Sequence, residues 1–398
     1  MVQPRIDSLG ILSWWGGVFR FALAGASPKS PREVPLWALC TPFRRWHDVV
    51  RHDGRTFRDL HSKGHGALAK ALLPLRGIYF VFLLTWPLVS LFRAALRGTG
   101  AARYFRAAMA RPEMLAQYPH AVFDDVDIAW SRPDYPLAMY YAERFARGPD
   151  ALFALDDKKA FLAACAKHQL PTPPTLSAAE AVAQPGEYIV KLPKSDLGFG
   201  VEMVTDEELR EVDNADRFVI QRRLRNHPSL REVFGDDAPL SSFRVLTVRG
   251  SQGPQVLRCA IRIGRAGSIV DNTQQGGIWA QVDGDTGEIM PGVTKKTYGK
   301  RVQGVPVRHG EHPDTGKSFV GLKIPDFERC KALALEAQSL LAPDAPSLGW
   351  DLALAEGGPV FLEVNVWATC YDHDAKSDGY TPVCACLIED LGRPAAPS

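Results

Sequence analysis

The residue types best suited to chemistry gather in three clusters in the second half of this 398-residue chain. The most informative is GWDLALAEGGPVFLEVN at 349–365. It predicts two short strands about a tight turn. If the loop is 356–358, Ala355 faces Pro359, and counting outward sets Asp351 opposite Glu363 across the ladder. Asn365, two residues beyond Glu363, shares its face. Two carboxylates facing each other repel unless a cation lies between them. Asp, Glu and Asn oxygens form the hard ligand set that Mg²⁺ prefers. The competing reading, an acidic exposed sheet face, fits poorly beside Leu362, Val364 and Trp350.

The second cluster, YIVKLPKSDLGFGV at 188–201, ends a β-branched and aromatic run in Lys191, then Lys194, then a loop with Gly198 and Gly200. A lysine at a strand end meets a phosphate as a point charge, and a glycine-containing loop lets backbone N–H groups approach it. A hairpin with two solvated lysines explains the same residues. The third cluster is rich in arginine: Arg244 in FRVLTV, then LRCAIRIGRAGSIVDNTQQGG with Arg258, Arg262, Arg265, Asp271, Asn272, Gly276 and Gly277. Arg258 and Arg262 are four apart and share a face if 256–263 is a strand. A guanidinium among apolar residues needs an anion, either a phosphoryl group, a substrate carboxylate or an internal carboxylate.

Other chemistries find no footing. The chain lacks G-x-x-x-x-G-K-[ST] and G-x-G-x-x-G, so neither a Walker loop nor a dinucleotide fingerprint is present. Cys384 and Cys386 form a C-x-C pair without a second pair to complete a zinc quartet. The odd count of seven cysteines fits a reducing compartment rather than a disulfide framework. No Ser–His–Asp or Cys–His role is assigned, and His227 reads either as a structural hydrogen-bonding group or as a residue that orients the joining segment or a substrate.

These clusters need elements to hold them. Strands are predicted at 187–192, 217–221, 242–249 and 255–263, with helices after residue 156 and over 326–341. Apolar residues at 46% and charged residues at 23% describe a folded protein with an ample core. The net charge of +2 hides an asymmetry. Residues 1–110 carry 16 Lys/Arg against 5 Asp/Glu, and the remainder 31 against 40. That basic region is expected to be mainly helical. Within it the uncharged run 77–92, GIYFVFLLTWPLVSLF, rises only ~24 Å as a helix, short of a ~30 Å hydrocarbon core. Three readings stay open for it: a helix lying in the membrane interface, a buried core helix, and a true span. The positive flanks favour an anionic membrane surface. Without a reading element they do not suggest nucleic acid.

The order of the motifs resembles the ATP-grasp superfamily, in particular sugar-transfer-associated ATP-grasp proteins related to alpha-L-glutamate ligases. The similarity runs from DKKAFLAACAKHQLPTPPT through YIVKLPKSDLGFGV, FVIQRRLRNHPSL, SSFRVLTV and RIGRAGSIVDNTQQGGI to WDLALAEGGPVFLEVN, about 156–365. It implies an α+β ATP-grasp fold at 153–390, with a small lobe near 170–219 and a large lobe near 220–390. That domain would follow a basic helical region at 1–110 and a connecting region at 111–152, with a tail at 391–398. It implies ATP and Mg²⁺, with Mn²⁺ able to substitute. By resemblance, Lys158, Lys191 and Lys194 would contact nucleotide and Gly198–Gly200 would form a lid. Gln221 and Arg222 would lie beside adenine, and Arg244 and Arg262 would face phosphate. Asp351, Glu363 and Asn365 would hold magnesium. The implied reaction is carboxylate–amine ligation through an acylphosphate on a small-molecule or sugar-conjugate carboxylate. It would serve cell-surface polysaccharide or sugar-conjugate synthesis, in the cytoplasm or at the inner face of the cell membrane. A sugar or small-molecule kinase and a membrane-associated nucleotide-binding accessory protein are the rival readings. The segment VWATCYDHDAKSDGY after Asn365 departs from the family pattern.

Overall fold

The computed structural model describes residues 10–44, 73–98, 101–110, 137, 139–141, 144, 151–194, 200–212, 214–250, 252–294, 297–298, 301–302, 307–366 and 380–392. The chain forms two units: Met1–Asp150 with Tyr371–Ser398, and Ala151–Cys370. Most of the expected connecting region 111–152, Gly198 and the segment 367–379 lie outside the described residues.

The first unit is helical: α1 (Ile11–Val18, continued by a π turn Phe19–Leu23), α2 (Val34–Arg44), α3 (Leu73–Arg97) and α4 (Ala101–Ala110). The uncharged run at 77–92 thus lies inside one 25-residue helix that carries Pro87 in its interior. Proline has no N–H, so the carbonyl four residues back, on Leu83, loses its helical partner. Trp14 Nε1 donates to that oxygen at 2.8 Å, and Trp15 Nε1 donates to the Leu84 carbonyl at 2.8 Å. The buried stripe of α3, Leu83, Trp86, Ser90 and Ala94, follows helical spacing. Trp86 Nε1 donates to the Ala108 carbonyl in the last turn of α4 at 3.0 Å. Trp14→Phe is therefore expected to cost about 1–3 kcal/mol by leaving the Leu83 carbonyl buried and unpaired. Pro87→Ala in that background should recover part of the loss, since it returns a helical donor to that carbonyl. Thermal unfolding of the two variants against wild type measures both effects.

The C-terminal helix Tyr380–Gly392 belongs to this unit. Tyr140 donates its hydroxyl to Asp390 at 2.6 Å, and Ser27 Oγ donates to the Leu391 carbonyl at 3.4 Å. The sequence reading carries the ATP-grasp domain on to 390, whereas the compact unit with the larger sheet ends at Cys370. An apolar amphipathic helix carries no label for which core it joins. Cys384 and Cys386 are buried along this helix.

The second unit opens with a 3₁₀ turn (Ala151–Asp156) and α5 (Lys158–Lys167), capped by Asp157, whose carboxylate accepts from the Lys159 and Ala160 amides. Next come β1 (Thr175–Leu176), α6 (Ala178–Val182), β2 (Glu187–Lys191), β3 (Val201–Thr205), α7 (Asp206–Arg210), β4 (Val219–Arg222) and α8 (Pro228–Phe234). The four strands form one sheet in the order β1-β4-β2-β3. Its inner face packs Tyr188, Val190 and Ile220 against Ala181 and Leu209. Capping boxes, Ser177 with Glu180 and Thr205 with Glu208, start the two covering helices. His227 is structural: its ring nitrogen accepts from the Ser229 amide and caps α8.

The larger sheet contains β5 (Ser242–Gly250), β6 (Gly253–Ile263), β7 (Ile278–Val282), β8 (Ile289–Thr294), β11 (Val307–His309), β12 (Ser347–Ala355) and β13 (Gly358–Asn365). Its order is β11-β8-β7-β6-β5-β12-β13, and every pairing is antiparallel. β9 (Thr297–Tyr298) and β10 (Arg301–Val302) pair separately. α9 (Phe327–Leu341) covers the face that carries Phe243, with the Phe243 and Phe327 rings 6.0 Å apart. The opposite face carries Arg244, Arg262, Asp351 and Glu363, because strand side chains alternate.

Candidate functional site

The charged face follows from register. Glu363, Asp351, Arg244, Ala260 and Gln281 form one row across β13, β12, β5, β6 and β7. Arg262 stands two residues along β6 from Ala260, opposite Ser242 on one side and Trp279 on the other. Arg244 Nε and Nη2 donate to the two Asp351 oxygens at 2.7 Å each, a bidentate pair. Arg262 Nη2 donates to Asp351 Oδ2, and Asn365 Nδ2 donates to the same oxygen at 3.2 Å. Both guanidinium groups also lie near the Trp279 ring, at 5.8 and 6.0 Å.

The hairpin reaches this register by a different route from the one counted in the sequence. The turn has two residues, 356 and 357, and Ala355 pairs with Gly358. A bulge between Leu352–Phe361 and Asp351–Glu363 absorbs Leu362 and restores the expected pair. Without that extra residue Glu363 would stand opposite Trp350, on the face that α9 covers. The bulge re-aims the carboxylate.

Asp351 is 1% exposed. Burial raises its pKa, but Arg244 and Arg262 more than offset this and bring it down to about 2. For Arg262, burial lowers the pKa, and Asp351, Asp271 and Glu363 raise it further than burial takes it down. Asp271 was named in the arginine cluster of the sequence but assigned no role, and it joins this centre. It accepts from the Ser242 amide at 2.7 Å and hydroxyl at 2.5 Å. Burial pushes its carboxyl up, against the pull of Arg262 and those hydrogen bonds. Gly277 makes this loop possible, since a Cβ there would sit 2.1 Å from the Asp271 carbonyl oxygen.

The smaller sheet contributes lysines. Lys158 sits in the first turn of α5, where a cation opposes the helix dipole and needs an anion. Its Nζ lies 3.5 Å from Glu363 Oε2. The adjacent Lys159 turns away and donates to the Asp216 carbonyl. Lys191 ends β2 on the face opposite the small core. Burial lowers its pKa, Glu363 and Asp271 raise it, and Lys158 lowers it. Gln221 shares that face, opposite Ile189, and donates to Thr175 Oγ1 at 3.3 Å. Arg222 does not share it. Strand alternation puts its side chain beside Tyr188, 5.6 Å from the ring, where it donates to Gln184 at 2.7 Å. The expectation placed Gln221 and Arg222, with the backbone around them, beside adenine, and the two side chains lie on opposite faces of β4. Lys194 is exposed at the start of segment 195–199. Gly200 closes the hairpin at φ +68°, where a Cβ would meet Leu192 at 2.6 Å.

The three residues expected to hold magnesium lie together at this edge. Asp351 and Glu363 do face each other, but cations already compensate both: two guanidinium groups at Asp351 and Lys158 at Glu363. Asp351 Oδ2 accepts from both guanidinium groups and the Asn365 amide, and among the described residues Oδ1 accepts from Arg244 alone. In this arrangement Asp351 is held chiefly by the two arginines, and among the described residues no three acidic, His or Cys side chains gather to hold a cation. Glu363, partly exposed, and Asn365 fit a metal ion, since their oxygens are hard donors on one face.

Together, the antiparallel sheet, the smaller sheet and the lysine–arginine centre define an α+β unit built around a cluster of cations and buried carboxylates. Residues 209–371 match the sequence model of the sugar-transfer associated ATP-grasp family, and that match places the segment in the family. It takes in Arg244, Arg262, Asp271, Asp351, Glu363 and Asn365 and begins after Lys158 and Lys191. Among solved structures, an L-amino acid ligase from Bacillus licheniformis is 12% identical over 58% of this chain and 46% of its own, with a TM-score of 0.35. D-alanyl-alanine synthetase A from Vibrio cholerae is 12% identical over 57% and 62%, at 0.36. A D-alanine–D-alanine ligase from Bacillus anthracis is 14% identical over 60% and 68%, at 0.34. The chain spans about half to two thirds of the length of these proteins. At these scores the likeness carries no weight for what the chain binds or does. No curated protein matches the sequence.

Proposed function

We propose that the second unit is an ATP- and Mg²⁺-dependent carboxylate–amine ligase acting in the cytoplasm on a small-molecule or sugar-conjugate carboxylate. The observation that carries this reading is the convergence of Lys158, Lys191, Arg244 and Arg262 on the Asp351–Glu363 edge, within and beside a segment of the ATP-grasp family. In the reaction a substrate carboxylate oxygen attacks the γ-phosphorus, ADP leaves, and an amine then displaces phosphate from the acylphosphate. Lys191 and Lys158 neutralise phosphate oxygens as point charges. Arg262 stabilises the equatorial charge that develops during transfer. Asp351 holds both guanidinium groups in place beforehand, so less ordering is left for substrate binding to accomplish. Glu363 and Asn365 would hold Mg²⁺, or Mn²⁺ in its place, which would supply further charge neutralisation at the phosphates.

The test is ADP release with Mg²⁺ across paired carboxylates and amines. Release that requires both partners is expected. Release with a hydroxyl acceptor and no amine identifies a kinase instead, and ATP binding without release under any pairing identifies a nucleotide-binding accessory protein.

A further inference from the structure

The apolar surface of the first unit is concentrated on one side of two helices. α3 buries Leu83, Trp86, Ser90 and Ala94 and turns Ile78, Val81, Leu88 and Phe92 outward, with Leu88 55% and Phe92 66% exposed. These outward positions recur at helical spacing opposite the buried stripe, and no charge interrupts them between Arg76 and Arg93. α1 and its π turn show the same pattern, with Leu12 82% and Phe19 50% exposed over buried Trp14 and Phe21. Phe19 lies against Phe80 of α3, ring centroids 6.4 Å apart, so the two exposed stripes adjoin. A contiguous exposed apolar surface of this kind marks an interaction site.

We infer that this face docks the protein on an anionic lipid surface, with α3 lying in the plane of the interface rather than crossing the bilayer. Charge complementarity selects lipid. Residues 1–110 carry 16 Lys/Arg against 5 Asp/Glu, and Arg76 and Arg93 bracket the uncharged run, as in helices that insert an apolar face under anionic headgroups. Packing selects the in-plane mode. α3 is long enough to cross by length and composition. However, its other face is fastened to α1 by the Trp14 and Trp15 hydrogen bonds and to α4 by Trp86. The helical stretch Ile11–Leu23 and α2, 13 and 11 residues long, would rise only about 16–20 Å. Neither reaches across a ~30 Å core, so a crossing α3 would drag its partners' ends and polar groups into hydrocarbon.

The experiment is flotation of the full-length protein with vesicles of phosphatidylcholine alone or of phosphatidylcholine with phosphatidylglycerol. Wild type is expected to float with the anionic vesicles, to lose binding as salt rises, and to be released from them by alkaline carbonate. Leu88→Glu combined with Phe92→Glu should weaken anionic binding at least about tenfold, with an unchanged circular-dichroism melt because both side chains are exposed. The salt dependence of wild type stands as a separate arm that needs no variant. Equal flotation of wild type and double variant overturns the inference, as does equal wild-type binding to neutral and anionic vesicles. Wild type that ignores vesicles but self-associates through this face, with association lost in the double variant, assigns the face to a second copy and overturns it too. Resistance to carbonate overturns the in-plane placement.

Discussion

Replacing Lys191 by methionine is expected to abolish most ATP turnover, by about a hundred- to a thousandfold, while leaving the protein as stable as wild type or more so. The two effects share one cause. Burial, with Lys158 nearby, lowers the Lys191 pKa below the ordinary lysine range despite the pull of Glu363 and Asp271. A base whose folded pKa is lowered works against folding at every pH below its ordinary pKa. Methionine keeps the stem and removes that penalty. On the proposed function the same side chain meets a phosphate, and losing one preorganised charge contact of this kind typically costs two to three powers of ten, about 100- to 1000-fold. ADP release and a melting curve on the same preparation measure both. A variant that melts lower than wild type and turns over normally would make Lys191 a structural residue.

Asp351→Asn should act in the opposite way, on folding first. The substitution leaves Arg244 and Arg262 buried around a neutral amide, and removing one partner of such a cluster costs about 3–5 kcal/mol. The pH dependence follows from the same group. Its folded pKa lies near 2, below the ordinary 3.8. Its stabilisation is therefore complete above about pH 4 and lost as pH falls through about 2, a swing on the order of 2–3 kcal/mol. Wild-type melting temperature should drop across that window, and the variant should show a flatter profile. If Asp351→Asn melts like wild type and loses only Mg²⁺-dependent stabilisation by ATP, Asp351 is a metal ligand after all.

Much of the second unit was legible because antiparallel strands write their faces into the chain at a period of two. The strands at 187–192, 242–249 and 255–263 and the helix over 326–341 appear within a residue or two of their expected ends. The alternation that set Arg244 against apolar neighbours is the same alternation that places it on the charged face. What the period does not contain is a partner across the sheet. Asp351 and Glu363 read as two repelling acids because the sequence shows them on one hairpin, whereas β5 and β6 bring two arginines from about a hundred residues upstream to neutralise Asp351.

Local pattern alone therefore determined element types, the charged residues on one sheet face, the asymmetry of charge along the chain and the motif order that carries the family resemblance. The tertiary structure decided the rest. It selected Lys158 over Lys159, since one of two adjacent helical lysines must turn away. It put Arg222 on the small core's face and aimed Glu363 through a bulge whose extra residue no propensity marks. It also drew the C-terminal helix into the first unit and capped the Leu83 carbonyl with Trp14. Each of these depends on which surfaces meet, and that is settled by the free energy of the whole packed unit rather than by any window of sequence.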